Sequence, residues 1–229
     1  MQVFLKIVCG LKKVPLELPK EFLKEDKEAL TGNDATPGSP MKENKSKSKE
    51  GKDESEIFED YSKLISTIRF NIGKNKLFMG IDVKSTEEEE PAKLLELGWC
   101  IFEKDGTVTK KKHIIFKENT VENQPSPDDY LFGTTEVEAT DTIVEELKKD
   151  IEGINYLIGQ DIENSLRCLK LLGINISKFV VMKTPKIHKY GAIDTRDLFS
   201  GQYSTKYVNL EESLKRLQIP FDKLDNSGN

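Results

Sequence analysis

Two short apolar runs near the middle of the chain constrain its fold more than any other feature. They cover residues 77–83 (LFMGIDV) and residues 94–102 (LLELGWCIF). Runs of this length, with Gly and Pro beside them, are typical of strands rather than helices. Residues two apart on a strand share a face, so Asp82 and Lys84 are expected to point the same way. A carboxylate at the end of a buried strand is costly unless it is paired or binds a cation, so we interpret the two side chains as an ion pair.

The composition indicates that part of the chain does not pack. Of the 229 residues, 36% are hydrophobic and 33% are charged, a low and a high value for a globular protein. Residues 31–56 contain Gly, Pro, Ser and interleaved Lys and Glu, with Met41 as their one large apolar residue. This composition predicts a disordered linker. The sequence therefore divides into a poorly defined segment at residues 1–30, the linker, and a folded domain over residues 57–229.

Charge, cysteine content and hydropathy exclude several classes of protein. The formal net charge of −5 argues against a strongly basic nucleic-acid binder but not against a local basic groove. The three cysteines form no CxxC pair and indicate reduced thiols, with Cys100 and Cys168 in apolar patterns typical of a core. No stretch reaches the roughly 18 apolar residues that cross a bilayer. The sequence predicts a cytoplasmic or nuclear protein with no membrane partner.

The order of elements predicts the fold class. Asp105-Gly106 indicates a hairpin turn into a third strand, Val108 to Phe116. A helix is expected to begin at Thr135 with Glu138 completing a capping box, and another after Asp161 as its N-cap. Further helices and strands are expected at residues 58–68, 154–158, 179–182, 194–199 and 209–217. Three strands followed by alternating helices and strands predict an α/β fold, a mixed sheet flanked by helices.

Four stretches, in this order, resemble the DEDDh 3′–5′ exonucleases, which have a ribonuclease-H-like fold. FMGIDVKS resembles their first motif, Asp-x-Glu on the first strand, and YLIGQDIENSLRCLKLLGI resembles the second-motif segment. GAIDTRDLF resembles the Asp-Thr turn that follows, and LEESLKRLQIPFDKLDNSGN resembles the last helix before a His-x4-Asp motif. The chain is most similar to the fungal Gfd-type C-terminal domain, an exonuclease-like branch. The resemblance implies a ribonuclease-H-like domain truncated at its C-terminus.

The same resemblance implies two-metal hydrolysis, in which four carboxylates hold two divalent ions and a His acts as general base. Asp82 matches the first carboxylate, and Asp161 matches the Asp of the family's Gly-His-Asp. The final Asp would fall beyond Asn229. Different residues stand at the other catalytic positions: Lys84 for Glu, Ser165 for Asp and Asp225 for His.

Lys84 in place of Glu changes the local charge by two units. At about 4 Å and an effective dielectric constant near 20, one contact between unit charges is on the order of 4 kcal/mol, so a cation beside Asp82 competes with a metal. We therefore expect no catalytic metal pair and no nuclease activity. Mg²⁺ or Mn²⁺ is expected only if the site is active, with Asp82 as its candidate ligand. Asp161 and Asp194 are interpreted as helix caps rather than as members of a carboxylate cluster.

The basic stretch at residues 183–190 (KTPKIHKY) follows a strand end and carries an aromatic residue. It predicts a rim for RNA or single-stranded nucleic acid, formed by Lys183, Lys186, His188, Lys189 and Tyr190. Solvated turns also explain this stretch, and they explain the second one, Lys110 to Lys112. Three functions stay open: a non-catalytic nucleic-acid-binding module, a scaffold that binds a protein partner, and a truncated copy of an active exonuclease.

Overall fold

A computed structural model describes residues 54–86, 92–120 and 134–220. Within these ranges the chain forms one sheet with helices on both of its faces. In chain order they are α1 (Glu54–Asn71), β1 (Leu77–Ser85), β2 (Leu94–Glu103), β3 (Val108–Phe116), a 3-10 turn (Lys117–Asn119), β4 (Thr135–Glu138), α2 (Thr140–Glu152), β5 (Tyr156–Gly159), α3 (Ile162–Leu171), β6 (Val180–Val181), β7 (Gly191–Asp194), α4 (Thr195–Tyr203) and α5 (Leu210–Arg216).

The sheet is mixed, with the strand order β4-β3-β2-β1-β5-β7-β6. Strands β1, β2 and β3 pair antiparallel, and the other neighbours pair parallel. One apolar cluster lies between the sheet and helices α1, α4 and α5, and a second lies between the sheet and helices α2 and α3. The predicted α/β fold, a mixed sheet flanked by helices, is confirmed.

The first three strands follow the sequence pattern closely, because the pattern is local. Strand β3 has the predicted bounds, and Gly106 has a φ of 94° in the turn before it. Only glycine adopts that conformation without strain, so the Asp-Gly pair sets the hairpin. Cys100 and Cys168 are buried free thiols, as predicted. No helix in the described ranges is long and apolar enough to span a bilayer.

The prediction that a helix begins at Thr135 is wrong. Thr135–Glu138 is strand β4, which pairs parallel with β3, and the helix begins at Thr140 with Ala139 as its N-cap. The Thr-x-x-Glu spacing of a capping box also fits a short strand. The register with His113 to Phe116 supplies backbone partners that local propensity does not reveal.

Strand β7 was not predicted as a strand. Its four residues are all buried and lie between β5 and β6 in parallel register. A run this short carries no period of its own, so only its neighbours define it. Lys110 to Lys112 lie in β3, as the predicted strand bounds require, and so the interpretation of these lysines as a solvated turn is wrong. Lys110 and Lys112 pair with carboxylates of α2 and β4: Glu136, Glu138, Glu146 and Asp150.

Candidate functional site

Three aspartates lie where neighbouring parallel strands end. Asp82 lies near the end of β1, Asp161 follows β5, and Asp194 is the last residue of β7. Because β1, β5 and β7 run parallel, their C-terminal ends meet at one edge of the sheet, which we call the carboxyl edge. This is the edge at which α/β sheets place their ligands.

On β1, the side chain of Lys84 reaches across to the neighbouring strand. Lys84 is paired in register with Glu96, and its Nζ lies 3.1 Å from Glu96 Oε1. Glu96 is 2% exposed, so its charge depends on this contact. The predicted pairing of Lys84 with Asp82 stays a prediction, since the ion pair seen at Lys84 is the one with Glu96.

His113 lies beside the same buried carboxylate. Its Nε2 is 3.6 Å from Glu96 Oε2, and its Nδ1 is 2.9 Å from the Thr135 hydroxyl on β4. The imidazole is fully buried. Glu96 therefore lies between a cation on β1 and an imidazole on β3, which ties three strands together beneath the carboxyl edge.

Ser165 lies on α3, which packs against β1. A Cβ built on Gly159 would lie 2.9 Å from the Ile81 carbonyl oxygen and 3.7 Å from Ser165 Oγ. Because Gly159 has no side chain, β1 and α3 can both lie close to its backbone. Ser165 is 2% exposed. Its hydroxyl lies near Gly159 on β5 and brings no negative charge to the edge.

Arg196 joins the other two aspartates. Its Nη2 lies 2.7 Å from Asp161 Oδ1 and 2.9 Å from Asp194 Oδ2. Burial alone would lower the pKa of the guanidinium, but hydrogen bonds and charge from Asp194 and then Asp161 raise it above its ordinary value. Arg196 therefore carries a full positive charge at the end of β7.

Asp194 and Asp161 both occupy their predicted N-cap positions, but of the two only Asp194 makes the capping hydrogen bond. Asp194 accepts a hydrogen bond from the Arg196 backbone N–H at 2.8 Å and also one from the Ile162 backbone N–H at 3.2 Å. Asp161 occupies the N-cap position of α3 but makes no capping hydrogen bond. Its left-handed backbone, with a φ of 56°, accompanies a side chain that pairs with Arg196 instead.

The residues at this edge do not fit a pair of divalent ions. Such ions require several carboxylates arranged around them. Asp161 and Asp194 both pair with Arg196, while Lys84 and Ser165 are the residues at the positions for which the predicted motif match implies carboxylates. Among the described residues, no group of three or more His, Cys, Asp or Glu side chains is placed to hold a metal. Asp225 lies outside the described ranges.

The predicted nucleic-acid rim is divided between the two edges of the sheet. Lys183 follows the end of β6 at the carboxyl edge, where its Nζ lies 2.6 Å from Glu163 Oε1. The backbone carbonyl of His188 accepts a hydrogen bond from Tyr156, which begins β5 at the opposite edge. Lys189 and Tyr190 directly precede β7 at that same opposite edge, and Lys186 is exposed on the connection.

Two residues that shape the edge, Glu96 and Arg196, were missed from the sequence. Glu96 interrupts an apolar run, and a charge inside a buried strand signals a specific partner. Arg196 is a cation in the first turn of a helix, where the helix dipole disfavours positive charge. Each signal was present, but the partner depends on strand register and on contacts between distant segments.

A mixed sheet with antiparallel β1–β3, parallel β5 and β7, and aspartates at the carboxyl edge defines an exonuclease-like α/β domain. Residues 77–229 match the family model DEDDh_C, described as DNA polymerase III subunit epsilon-like, C-terminal domain. The match covers more than half of the chain, which therefore belongs to this family. The predicted DEDDh resemblance is confirmed at this level. No curated protein matches the chain.

Proposed function

We propose that this chain is a non-catalytic DEDDh-type domain that binds RNA or another single-stranded nucleic acid. The observation that carries the proposal is the ion pair between Lys84 and the buried Glu96. A carboxylate at position 84 would bring negative charge to Glu96 as well as to Asp82, whereas the lysine neutralises charge without a metal. Arg196 supports the proposal because it neutralises Asp161 and Asp194 in the same way.

Metal titration tests the catalytic half of the proposal. Calorimetry with Mg²⁺ and with Mn²⁺ is expected to give no saturable heat for the wild-type chain. Lys84→Glu/Ser165→Asp is expected to gain saturable binding, because it adds two carboxylates beside Asp82. Lys84→Gln/Ser165→Asn is the matched control, with similar size and no added charge. Saturable binding by the wild type, or Mg²⁺-dependent shortening of RNA by it, would refute the loss of catalysis.

The divided rim allows a sharper test of nucleic-acid binding. We propose that the strand follows the carboxyl edge, so that Lys183 contacts a phosphate and Lys189 does not. Lys183→Glu is expected to weaken binding of a single-stranded RNA and to lower the salt slope by about 0.7, the value for one phosphate contact. Lys189→Glu, the matched reversal at the opposite edge, is expected to leave both unchanged.

Fluorescence anisotropy at several salt concentrations measures both quantities. Equal losses in the two variants would support the whole predicted rim, with Lys186, His188 and Tyr190 included. A wild-type chain with no affinity for RNA or single-stranded DNA would overturn the proposal and favour the protein-interaction scaffold. The proposal keeps the fungal Gfd-type branch and a cytoplasmic or nuclear location, supported by the GAIDTRDLF stretch and by the thiol content.

A further inference from the structure

A small polar pocket lies beside the carboxyl edge, between the ends of β6 and β7 and the first turn of α3. Its volume is about 160 Å³, and its lining includes Glu163, Lys183, Asp194, Arg196, Asp197 and Tyr207. An apolar cavity of about 150 Å³ accommodates benzene, so this pocket has room for one six-membered ring. Of this lining, Lys183 is the residue that the sequence predicted as a nucleic-acid contact.

Asp197 leaves an unused acceptor in the wall of this pocket. The residue is 2% exposed, and its Oδ1 accepts a hydrogen bond from the Tyr207 hydroxyl. Its Oδ2 is buried and has no hydrogen-bond partner within the described part of the chain, because the Tyr61 hydroxyl that also faces this carboxyl is hydrogen-bonded to the Tyr207 hydroxyl. A buried carboxylate oxygen without a donor costs free energy, and a ligand that supplies an N–H would remove that cost.

The charges around the pocket disfavour a phosphate. Lys183 is paired with Glu163 at 2.6 Å, and the Arg196 guanidinium is shared between Asp161 and Asp194. Arg196 is therefore neutralised inside the pocket, whereas the exposed Lys183 can exchange Glu163 for a phosphate that lies outside it. Asp197 then adds an acceptor rather than a donor. The chemistry that fits is a neutral group with a hydrogen-bond donor.

Tyr207 provides a surface for a planar ligand. The residue is 52% exposed, and the Arg196 guanidinium carbon lies 5.2 Å from its ring centroid. Bases of single-stranded nucleic acids stack on exposed aromatic rings of this kind. Carboxylates accept from the N4 amino group of cytosine, which is also the base with both a single six-membered ring and an exocyclic amino group.

We propose that this pocket binds one unstacked cytosine, with its ring on Tyr207 and its amino group donated to Asp197 Oδ2. The inference rests on the proposed function, because it assigns the pocket to one base of the bound strand. It also goes beyond that function, because it gives the domain a base preference at a position away from Asp82.

Anisotropy with the full chain and two labelled RNA octamers, oligo(C) and oligo(U), tests the preference. Oligo(C) is expected to bind about tenfold more tightly, the lower range for a base-specific hydrogen bond. Asp197→Asn is expected to remove the preference. Tyr207→Ala is expected to weaken both octamers about tenfold through lost stacking. Phe70→Ala is the matched aromatic control, since Phe70 is 81% exposed and lies outside the pocket.

An octamer of N4,N4-dimethylcytidine removes the donor without changing the protein, so the test stands even if Asp197→Asn does not fold. This octamer is expected to bind as weakly as oligo(U). Equal affinity for all three octamers would overturn the cytosine pocket and leave the proposed function intact. Calorimetry with free cytidine separates failure of the proposed function from failure of the cytosine pocket. Cytidine bound without octamer binding would overturn the proposed function alone, and no binding of either would overturn both.

Discussion

Two cations hold the carboxyl edge together, and they do so in different surroundings. Lys84 pairs across the β1–β2 register with Glu96, whose side chain is 3% exposed. Arg196 bridges Asp194, which is 6% exposed, and Asp161, which is 54% exposed. Asp194 also accepts two backbone N–H groups, whereas the charge of Glu96 has Lys84 as its cationic partner.

The difference shows what each cation contributes. At Arg196 the carboxylates retain backbone donors or solvent, so the guanidinium mainly fixes their positions. At Lys84 the carboxylate is buried within a strand pair, so the ammonium compensates a charge that water does not reach. Both arrangements neutralise carboxylates at an edge where the DEDDh resemblance implies metal ions. The ion pair with Glu96 should therefore matter more to stability, and the Arg196 bridge more to local geometry.

The largest effect is expected from Lys84→Met, which leaves Glu96 buried without its counter-ion. Removing one partner of a buried pair costs 3–5 kcal/mol, and the half-exposed lysine reduces this to about 2 kcal/mol. Urea denaturation followed by circular dichroism measures the change in the free energy of unfolding. Lys84→Arg keeps the charge and should cost much less.

A double-mutant cycle with Glu96→Gln isolates the pair. If Lys84 acts through Glu96, the double variant should be less destabilised than the sum of the two single variants. Additive losses would show that the lysine stabilises the strand by another route, and the contrast with Arg196 would then fail.

A smaller effect is expected from Arg196→Met. Asp194 keeps its two backbone donors and Asp161 is largely in water, so the free energy of unfolding should fall by about 1 kcal/mol. Lys215→Met is a suitable control, since it removes an exposed pair with Glu211 that is worth at most about 0.5 kcal/mol. A loss at Arg196 as large as that at Lys84 would reverse the comparison.

The sequence predicted most clearly what local patterns determine. Apolar runs and the Asp-Gly turn located β1, β2 and β3 almost to the residue. Strands β4 and β7 have four residues each, and they are defined by pairing with distant segments rather than by any period. The Thr135–Glu138 stretch even satisfied a helix signal, which pairing with β3 overrode.

The candidate site likewise has parts that local sequence patterns predict and parts that they do not. Local patterns were sufficient to predict that Asp82 lies on a strand and Ser165 on a helix, which the structure has as β1 and α3. The partners of Lys84 and Arg196 could not be predicted from the sequence. Lys84 meets Glu96 only through the β1–β2 register, and Arg196 meets Asp161 across 35 residues of sequence. Contacts of this kind form only when the whole sheet has assembled, so no local stretch of the sequence predicts them.

The smallest effect concerns Asp197, a buried carboxylate at the same edge that neither cation pairs with. Burial raises its pKa above the ordinary value of 3.8; the Tyr207 hydrogen bond lowers it and the charge of Asp194 raises it, and Tyr61 and Lys183 face it as well. Since the folded pKa is the higher one, the protonated form is favoured in the fold. Its stabilising contribution is complete below pH 3.8 and is lost as the pH rises through the folded pKa.

Asp197→Asn mimics the protonated side chain at every pH. The variant is therefore expected to gain stability relative to the wild type as the pH rises from below 3.8 toward neutrality, measured by urea denaturation at a series of pH values. A difference that stays constant with pH would mean that Asp197 is as well compensated as Asp194. The lack of an ion pair between Asp197 and either Lys84 or Arg196 would then have no energetic consequence, and neutralisation by these two cations would not explain the energetics of this edge.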